Sequence, residues 1–406
     1  MCSIYGAFGD DPREDLLKRL RRNATDRGRD GGRVEWYDLG RKRAALGNWR
    51  ATPTPEIAKA AFQPYDRMVH NGTIANDKQL GGLPGEVDSM VLARALDRSS
   101  VNAMVASLGR VVGSYALAAA SDDRVLLACN YKPLHYWSPD GRTFYFSSMA
   151  RHFLGVCPWG QAPVALPPYS AIDLLTGQTA EIPRRSSKRA IVIASAGLDS
   201  TVVAAKLVAD GYDVMLLHFL YGCRAETRER RAVVEIAAAL GCKHHFVTIP
   251  YEAMGAGSVL TTGTSEDISG AVAGAEYAHE WVPARNLLML SLAAVCAEGM
   301  GYHYIALGNN LEESGAYPDN EEQMTVHMDA AMHYAVQNGY GLRVIAPVGN
   351  LMKHEIVKLG LDLGAPLGRT WSCYRGGERH CGVCGPCFMR RTAFERNGAQ
   401  DPVFEE

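Results

Sequence analysis

Near residue 190 the hydrophobic rhythm of the chain changes, and that change limits the folds open to it. Beyond it, short apolar runs alternate with helix-length segments. Ala190 to Ala194 reads as a buried strand, followed by a tight Ser-Gly turn and a helical pattern from Thr201 to Asp210. A second strand covers Asp213 to Leu220, a helix covers Glu226 to Leu240, and a third strand lies near His245 to Ile249. Strands that alternate with helices pair in parallel, because each crossover returns the chain in the same direction. The expectation is a doubly wound α/β sheet that binds ligands at the carboxyl ends of its strands. Before residue 185 the pattern differs. Runs such as Arg124 to Cys129 and Thr143 to Phe146 are separated by Gly, Pro and Asp turns, with helical stretches such as Asp88 to Leu96 between them. That mixture predicts an α+β layered domain with antiparallel sheets. The basic, aperiodic segment Pro183 to Arg189 reads as the linker. Two domains are therefore expected in these 406 residues, at 2–185 and 190–406. No internal repeat is visible. The Gly/Ala/Ser/Thr-rich stretch from Gly255 to Ala275 reads either as a lid or as a plain surface loop.

Charge and cysteine usage narrow the function. Lys and Arg number 42 against 44 Asp and Glu, a net charge of −2, which excludes a wholesale polyanion binder while leaving local basic patches open. Two such runs exist, Lys18-Arg19-Arg21-Arg22 and Arg224-Arg228-Arg230-Arg231. Both read first as solvated helix faces paired with acids such as Glu226 and Glu229, and a phosphate-tracking role is the minority reading. The start of the chain lacks the charged and apolar regions of a signal peptide, and no apolar run reaches the roughly 18 residues that span a bilayer. The expectation is a cytoplasmic protein without a membrane partner. There, clustered cysteines serve as metal ligands or nucleophiles rather than disulfides. His244-His245 reads as a strand-edge pair. Cys129, Cys157, Cys242 and Cys296 read as ordinary buried thiols, and Cys223 stands apart only because it falls beside the expected pocket.

Four of the ten cysteines crowd the last stretch. Cys373, Cys381, Cys384 and Cys387 follow a C-x₇-C-x₂-C-x₂-C spacing. Four thiolates without an open position suit a structural tetrahedral zinc, with an iron–sulfur cluster as the rival. Arg375, Arg379, Arg390 and Arg391 are close enough in sequence to offset the −2 charge of such a centre. Upstream, Ile191-Val192-Ile193 runs into Ser195-Ala196-Gly197-Leu198-Asp199-Ser200 and then a helix. Small residues at a helix start let backbone N–H groups and serine hydroxyls close on a phosphate. The Gly-Lys-Ser ending of a Walker loop is missing. The loop resembles the Ser-Gly-Gly-x-Asp-Ser loop of the N-type ATP pyrophosphatases, with Ala196 in place of one glycine. Ala196 is a mild departure at negative φ and a serious one otherwise.

At the other end, removal of Met1 would leave Cys2 with a thiol and an α-amine on one residue. An amine of pKa about 7.7–8.0 can take the thiol proton directly or through a water. Alone that would be incidental, and Asn71-Gly72 alone would be a hairpin turn. Together the residues resemble the class II, N-terminal nucleophile (Ntn) glutamine amidotransferases: Arg27-Gly28-Arg29-Asp30-Gly31, Gly47-Asn48-Trp49-Arg50-Ala51-Thr52, Val69-His70-Asn71-Gly72-Thr73, Asp88 at a helix start, Gly113-Ser114-Tyr115-Ala116 and Lys132-Pro133-Leu134. The resemblance implies Cys2 as nucleophile, Asn71 and Gly72 as the oxyanion hole, and Arg50 and Asp88 as the groups that hold glutamine. An oxyanion donor of this kind contributes about 2.7–4 kcal/mol.

Residues 190–397 resemble the 7-cyano-7-deazaguanine synthase (QueC) family. The matching pieces are Thr370-Trp371-Ser372-Cys373-Tyr374, the cysteine tail, Lys353-His354-Glu355-Ile356-Val357, Val282-Pro283-Ala284-Arg285-Asn286 and Tyr317-Pro318-Asp319. That family uses ATP to activate 7-carboxy-7-deazaguanine, adds ammonia to give an amide, and activates again to give the nitrile. By resemblance, Ser195, Gly197, Asp199 and Ser200 hold ATP with its Mg²⁺, Lys353 faces phosphate or adenylate, and Arg285, Asn286, Tyr317 and Asp319 line the deazaguanine pocket. The family's Tyr-Gly-Gln-Arg-His becomes Tyr221-Gly222-Cys223-Arg224-Ala225, and its Ser-Gly-Tyr-Pro-Asp-Cys gains Ala316 in Ser314 to Asn320. The expected function is a homo-oligomeric two-site synthetase that frees ammonia from glutamine and transfers it to the C7 substituent of a 7-deazaguanine. The alternatives are ammonia addition to 7-cyano-7-deazaguanine already in nucleic acid, an asparagine synthetase-like amidotransferase, a protein amine as acceptor, and a non-catalytic zinc-stabilised binding module.

Overall fold

The computed structural model describes residues 2–51, 62–251, 258, 260–261, 280–315 and 317–404. Thr52, Ala316 and most of the expected lid, 255–275, lie outside the described residues. The chain forms two compact units, Met1–Arg185 and Ser186–Glu406.

In the first unit β1 (Ser3–Gly9), α1 (Glu14–Asn23), β2 (Gly32–Leu39), β3 (Lys42–Trp49) and β4 (Met68–Ile74) come first. Next are α2 (Asp88–Ala95), α3 (Val101–Leu108), β5 (Gly113–Ala120), β6 (Val125–Cys129), β7 (His135–Trp137) and β8 (Phe144–Ser147). The unit closes with β9 (Val164–Ala165), β10 (Ser170–Asp173) and β11 (Thr179–Glu181). The strands build a six-stranded sheet, β2-β3-β1-β8-β7-β9, and a five-stranded sheet, β11-β10-β6-β5-β4. Pairing is antiparallel in both. Ile4, Phe8 and Leu46 of the first sheet pack on Val69, Ala116 and Leu127 of the second. Behind the first sheet, Leu17 and Leu20 of α1 meet Tyr5 and Ala45. Behind the second, Leu92 of α2 and Met104 of α3 meet Leu117 and Leu126. The result is a helix–sheet–sheet–helix stack. All seven residues of β1 are buried, because both faces of its sheet are covered, and so it shows no polar alternation.

The second unit runs β12 (Arg189–Ile193), α4 (Leu198–Ala209), β13 (Asp213–Leu220), α5 (Glu226–Leu240), β14 (Lys243–Thr248), α6 (Arg285–Met300) and β15 (Tyr304–Ala306). It continues with α7 (Leu311–Ser314), α8 (Glu322–Ala335), β16 (Arg343–Ile345), α9 (Lys353–Asp362) and α10 (Gly385–Arg396). The sheet order is β14-β13-β12-β15-β16, parallel throughout. Leu290 of α6 and Met332 of α8 cover one face, and Val202 of α4, Ile236 of α5 and Val357 of α9 cover the other. Strand order reverses beside β12, so the crevice between the ends of β12 and β15 is the expected ligand site. Three boundaries move relative to the sequence pattern, the third strand beginning at Lys243 rather than near His245. Leu198 rather than Thr201 opens α4, because the serine-rich turn already supplies the first helical turn. Arg189 belongs to the sheet: it pairs with Asp213 at 2.9 Å and donates to the carbonyls of Met300 and Gly301 at 3.0 Å. Among the described residues no helix is long and apolar enough to cross a membrane.

Candidate active sites

Each unit carries its own candidate site. In the second unit a cavity of about 230 Å³ opens at the β12–β15 switch point. Ser195, Gly197, Asp199, Ser200, Lys353, Arg285, Asn286 and Tyr317 all line it, whereas Asp319 does not. The loop is laced together: the Ser195 and Ser200 hydroxyls lie 3.2 Å apart, and Thr201 Oγ1 donates to the Gly197 carbonyl at 2.7 Å. Ala196 takes φ +65°, the left-handed region where the resembled loop has glycine, so the departure is of the serious kind. That conformation costs a non-glycine residue about 1–2 kcal/mol. Burial of the methyl and a 2.8 Å hydrogen bond from Trp371 N–H to the Ala196 carbonyl hold it in place.

Lys353, the first residue of α9, extends Nζ to Asp199 Oδ2 at 2.5 Å and to Glu313 Oε1 at 2.9 Å. Burial alone would lower the lysine pKa, but the two carboxylates outweigh it and push the pKa up, so the ammonium stays charged. Burial raises the Asp199 pKa against the pull of Lys353, and Asp199 Oδ1 is buried without a partner. Arg285, at the start of α6, is half-buried, and the Tyr221 and Tyr374 hydroxyls beside it favour its charge against burial. The Asp319 carbonyl accepts from Asn286 at 3.4 Å and from Asn309 at 3.3 Å, which puts Asp319 behind the cavity wall.

Sequence reasoning missed the acids Glu313, Glu280 and Glu229. Glu229, first grouped with the solvated face of its helix, is buried, lines the cavity and accepts from the Cys223 thiol at 3.5 Å. Burial pushes its carboxyl up to about 7. Its spacing with Ala232, Val233 and Ile236 is the signal that was available, since these mark the inner stripe of α5. The neighbouring arginines are locally engaged. Arg228 donates to the Gly377 carbonyl at 3.1 Å, Arg230 covers the Phe246 ring and Arg231 pairs with Glu235. In the other basic run Lys18 pairs with Glu14, Arg19 donates to the Gly155 carbonyl and Arg21 covers Trp49. Cys129 and Cys223 are buried, but Cys157, Cys242 and Cys296 are only partly so.

The tail supplies one cavity wall through Trp371, Ser372, Tyr374, Pro386 and Met389. Cys384 caps α10 and Cys387 lies in its first turn. The sulfurs of Cys373, Cys381, Cys384 and Cys387 all fall within 4.8 Å of one another. Arg390 is not a counter-charge for them. Its guanidinium, buried, is bound by Asp401 through both carboxylate oxygens at 2.7 and 2.8 Å.

In the first unit Cys2 stands just before β1, with its sulfur 3.5 Å from the Ala51 N–H. Arg50, next to Ala51, and Asp88 both act electrostatically on Tyr65, the first lowering its pKa and the second raising it, while burial raises it most. Asp88 opens α2. Its Oδ2 accepts from Ile74 N–H and its Oδ1 from Ser89 N–H, both at 2.8 Å. Asn71 and Gly72 sit on β4, a strand of the second sheet that lies against β1. Asn71 Nδ2 is buried without a partner, and a methyl at Gly72 would run into the Ser114 carbonyl. His70, kept neutral by burial, donates through Nε2 to that same carbonyl at 3.3 Å and accepts from the Ser89 hydroxyl at 2.9 Å. The Arg27 to Gly31 stretch is held to the end of β3 by Asp30 N–H on the Arg50 carbonyl at 2.9 Å.

Comparison with known proteins adds three findings. A family profile described as "Queuosine biosynthesis protein QueC" matches residues 189–398. A 7-cyano-7-deazaguanine synthase of Saccharolobus solfataricus is 37% identical over 99% of each chain. A shorter relative of the same name, from Nitratiruptor sp., is 36% identical and matches 53% of this chain with 97% of its own length. Among solved structures, glutamine phosphoribosylpyrophosphate amidotransferase from B. subtilis is 14% identical and covers 95% of this chain and 96% of that one, with a TM-score of 0.37.

Proposed function

The chain belongs to the QueC family of 7-cyano-7-deazaguanine synthases, and on that premise we propose that it is a glutamine-dependent, ATP-using amidotransferase acting on the C7 substituent of a 7-deazaguanine. The observation that carries the reading is one cavity at the switch point, where a phosphate loop, a fixed ammonium and a half-buried guanidinium meet. ATP phosphates fit the Ser195–Ser200 loop, where the α4 N-terminus and the serine hydroxyls donate. Asp199 and Glu313 offer hard oxygen donors for the accompanying Mg²⁺. Lys353, held by those carboxylates, sits ready for the charge of the leaving pyrophosphate. The substrate carboxylate attacks the α-phosphorus and releases pyrophosphate. Ammonia displaces AMP to give the amide. A second ATP activates the amide oxygen, and loss of AMP with the amide protons leaves the nitrile. Arg285 and Asn286 line the acceptor side, with Tyr317 as a ring face; Asp319 contributes by holding Asn286.

In the first unit the Cys2 sulfur attacks the glutamine side-chain amide. The unpartnered Asn71 Nδ2 and the Gly72 N–H receive the oxyanion, and Arg50 and Asp88 hold the α-carboxylate and α-amine. Hydrolysis of the thioester returns the thiol. Ammonia made this way is the neutral nucleophile, whereas free ammonia at neutral pH is mostly protonated.

The four-cysteine cluster fits zinc. Tetrahedral Zn–S bonds of about 2.3 Å place sulfurs roughly 3.8 Å apart, and Cys381 and Cys387 stand 4.0 Å apart. A four-iron cluster would put each thiolate on a separate iron and spread the sulfurs further. The ion would supply cross-linking only, since Cys373, Cys381, Cys384 and Cys387 leave no position for substrate.

The test is Cys2→Ala. It should abolish activity with glutamine and keep activity with ammonium salts when ATP and 7-carboxy-7-deazaguanine are supplied. Loss of both would overturn the two-site reading.

A further inference from the structure

Among the described residues that line the cavity, one acid has no assigned partner. Asp199 and Glu313 share Lys353, and Glu229 has the Cys223 thiol. Glu280 is different: it lines the cavity, is 5% exposed, and its Oε1 is buried with no hydrogen bond. Burial accordingly pushes its carboxyl up to about 7, and its charge is felt by the Tyr317 and Tyr374 hydroxyls. The next residue, Trp281, stacks on Tyr317 with ring centroids 6.3 Å apart and planes 13° apart. Tyr317 lines the cavity, so one side of the cavity presents a backed aromatic face beside an unpaired carboxyl.

In its ionised form the Glu280 carboxylate only accepts, and the partner that would hold it in that form against burial is a donor. A 7-deazaguanine keeps the pyrimidinone edge of guanine, where N1–H and the 2-amino group are two adjacent parallel donors. Adenine offers one donor beside a ring lone pair that repels a carboxylate, and phosphate offers none. A planar base also seeks an aromatic face on which to stack. Resting on the function proposed above, we infer that Glu280 selects the base: its two oxygens accept from N1–H and the 2-amino group while the ring stacks on Tyr317. Glu280 is thereby a specificity residue at the edge opposite the reacting C7 side, and it takes no part in adenylation.

Steady-state kinetics on the full chain test this with 7-carboxy-7-deazaguanine and with the analogue lacking the 2-amino group. The wild type should prefer the amino compound roughly thirty-fold, the scale of one buried hydrogen bond to a charged group left unmade. Glu280→Gln should raise KM for the amino compound by about the same factor, leave KM for ATP within about twofold, and erase most of the discrimination. Equal handling of both compounds by the wild type overturns the inference, as does discrimination that survives in a folded Glu280→Gln protein. Should that variant fail to fold, Glu280→Asp gives a second reading: weakened binding with discrimination kept supports the role, and unchanged binding overturns it. Failure of the wild type to bind 7-carboxy-7-deazaguanine, while still binding ATP, would instead sink the proposed function and the inference with it.

Discussion

Glu229 shows how burial turns one side chain into a pH-dependent element of stability. In the unfolded chain its carboxyl titrates near 4.5, and in the folded chain it is pushed up to about 7. The folded state therefore holds the proton longer. Its contribution is complete below about pH 4.5 and is lost as pH rises to about 7. The wild type should thus lose stability relative to Glu229→Gln across that window, by at most about 3 kcal/mol. Thermal melts of both proteins at steps from pH 4 to 8 would show it, and parallel curves would refute it. The sequence motifs pointed to Cys2, Asn71, Asp199, Lys353 and Arg285, and the last three line one cavity. The three further acids were not legible, because Glu229, Glu280 and Glu313 come from separate segments and only the folded sheet brings them to one cavity. Ala196 was legible as a departure, but its positive φ is a property of the backbone that the letter alone does not carry.

At the scale of elements, the tail helix α10 is fixed by a buried clamp. Besides Asp401, the Arg390 guanidinium donates to Thr370 Oγ1 at 2.5 Å and to the Leu367 carbonyl at 3.0 Å. Removing one partner strands the other charge, so Arg390→Met should destabilise the protein by about 3–5 kcal/mol. The double variant Arg390→Met/Asp401→Leu should recover much of that loss, because no unpaired charge remains. Urea denaturation of the single and double variants measures both. The second-unit strands and helices were readable because parallel strands buried on both faces appear as continuous apolar runs between amphipathic helices. Asp213–Leu220 and Glu226–Leu240 match residue for residue. In the first unit single elements were readable, since Val125–Cys129, Phe144–Ser147 and Asp88–Ala95 each fall within a residue of the expected runs, but their pairing was not. Which strands pair, and that β1 joins β8 across more than a hundred residues, depends on contacts remote in sequence.

At the scale of the whole molecule, each unit closes its own hydrophobic clusters, and relatives of the second unit's size carry the synthase name. Residues 186–406 expressed alone should fold and form product from ammonium salts, with no response to glutamine. A circular dichroism melt and product mass spectrometry would decide it. The cysteine cluster should behave as a staple on this unit. Stripping the metal with a strong chelator should release about one zinc per chain and abolish ATP binding, measured by calorimetry, because the wall formed by Trp371, Tyr374 and Pro386 is lost with it. Retained ATP binding by the stripped protein would contradict that. The placement of this wall has a consequence for synthesis on the ribosome. The phosphate loop at Ser195–Ser200 emerges midway, but residues 371–390 emerge some 170 positions later and are the last to close the cavity. A truncated or stalled product therefore carries the loop without the wall and has no finished nucleotide pocket.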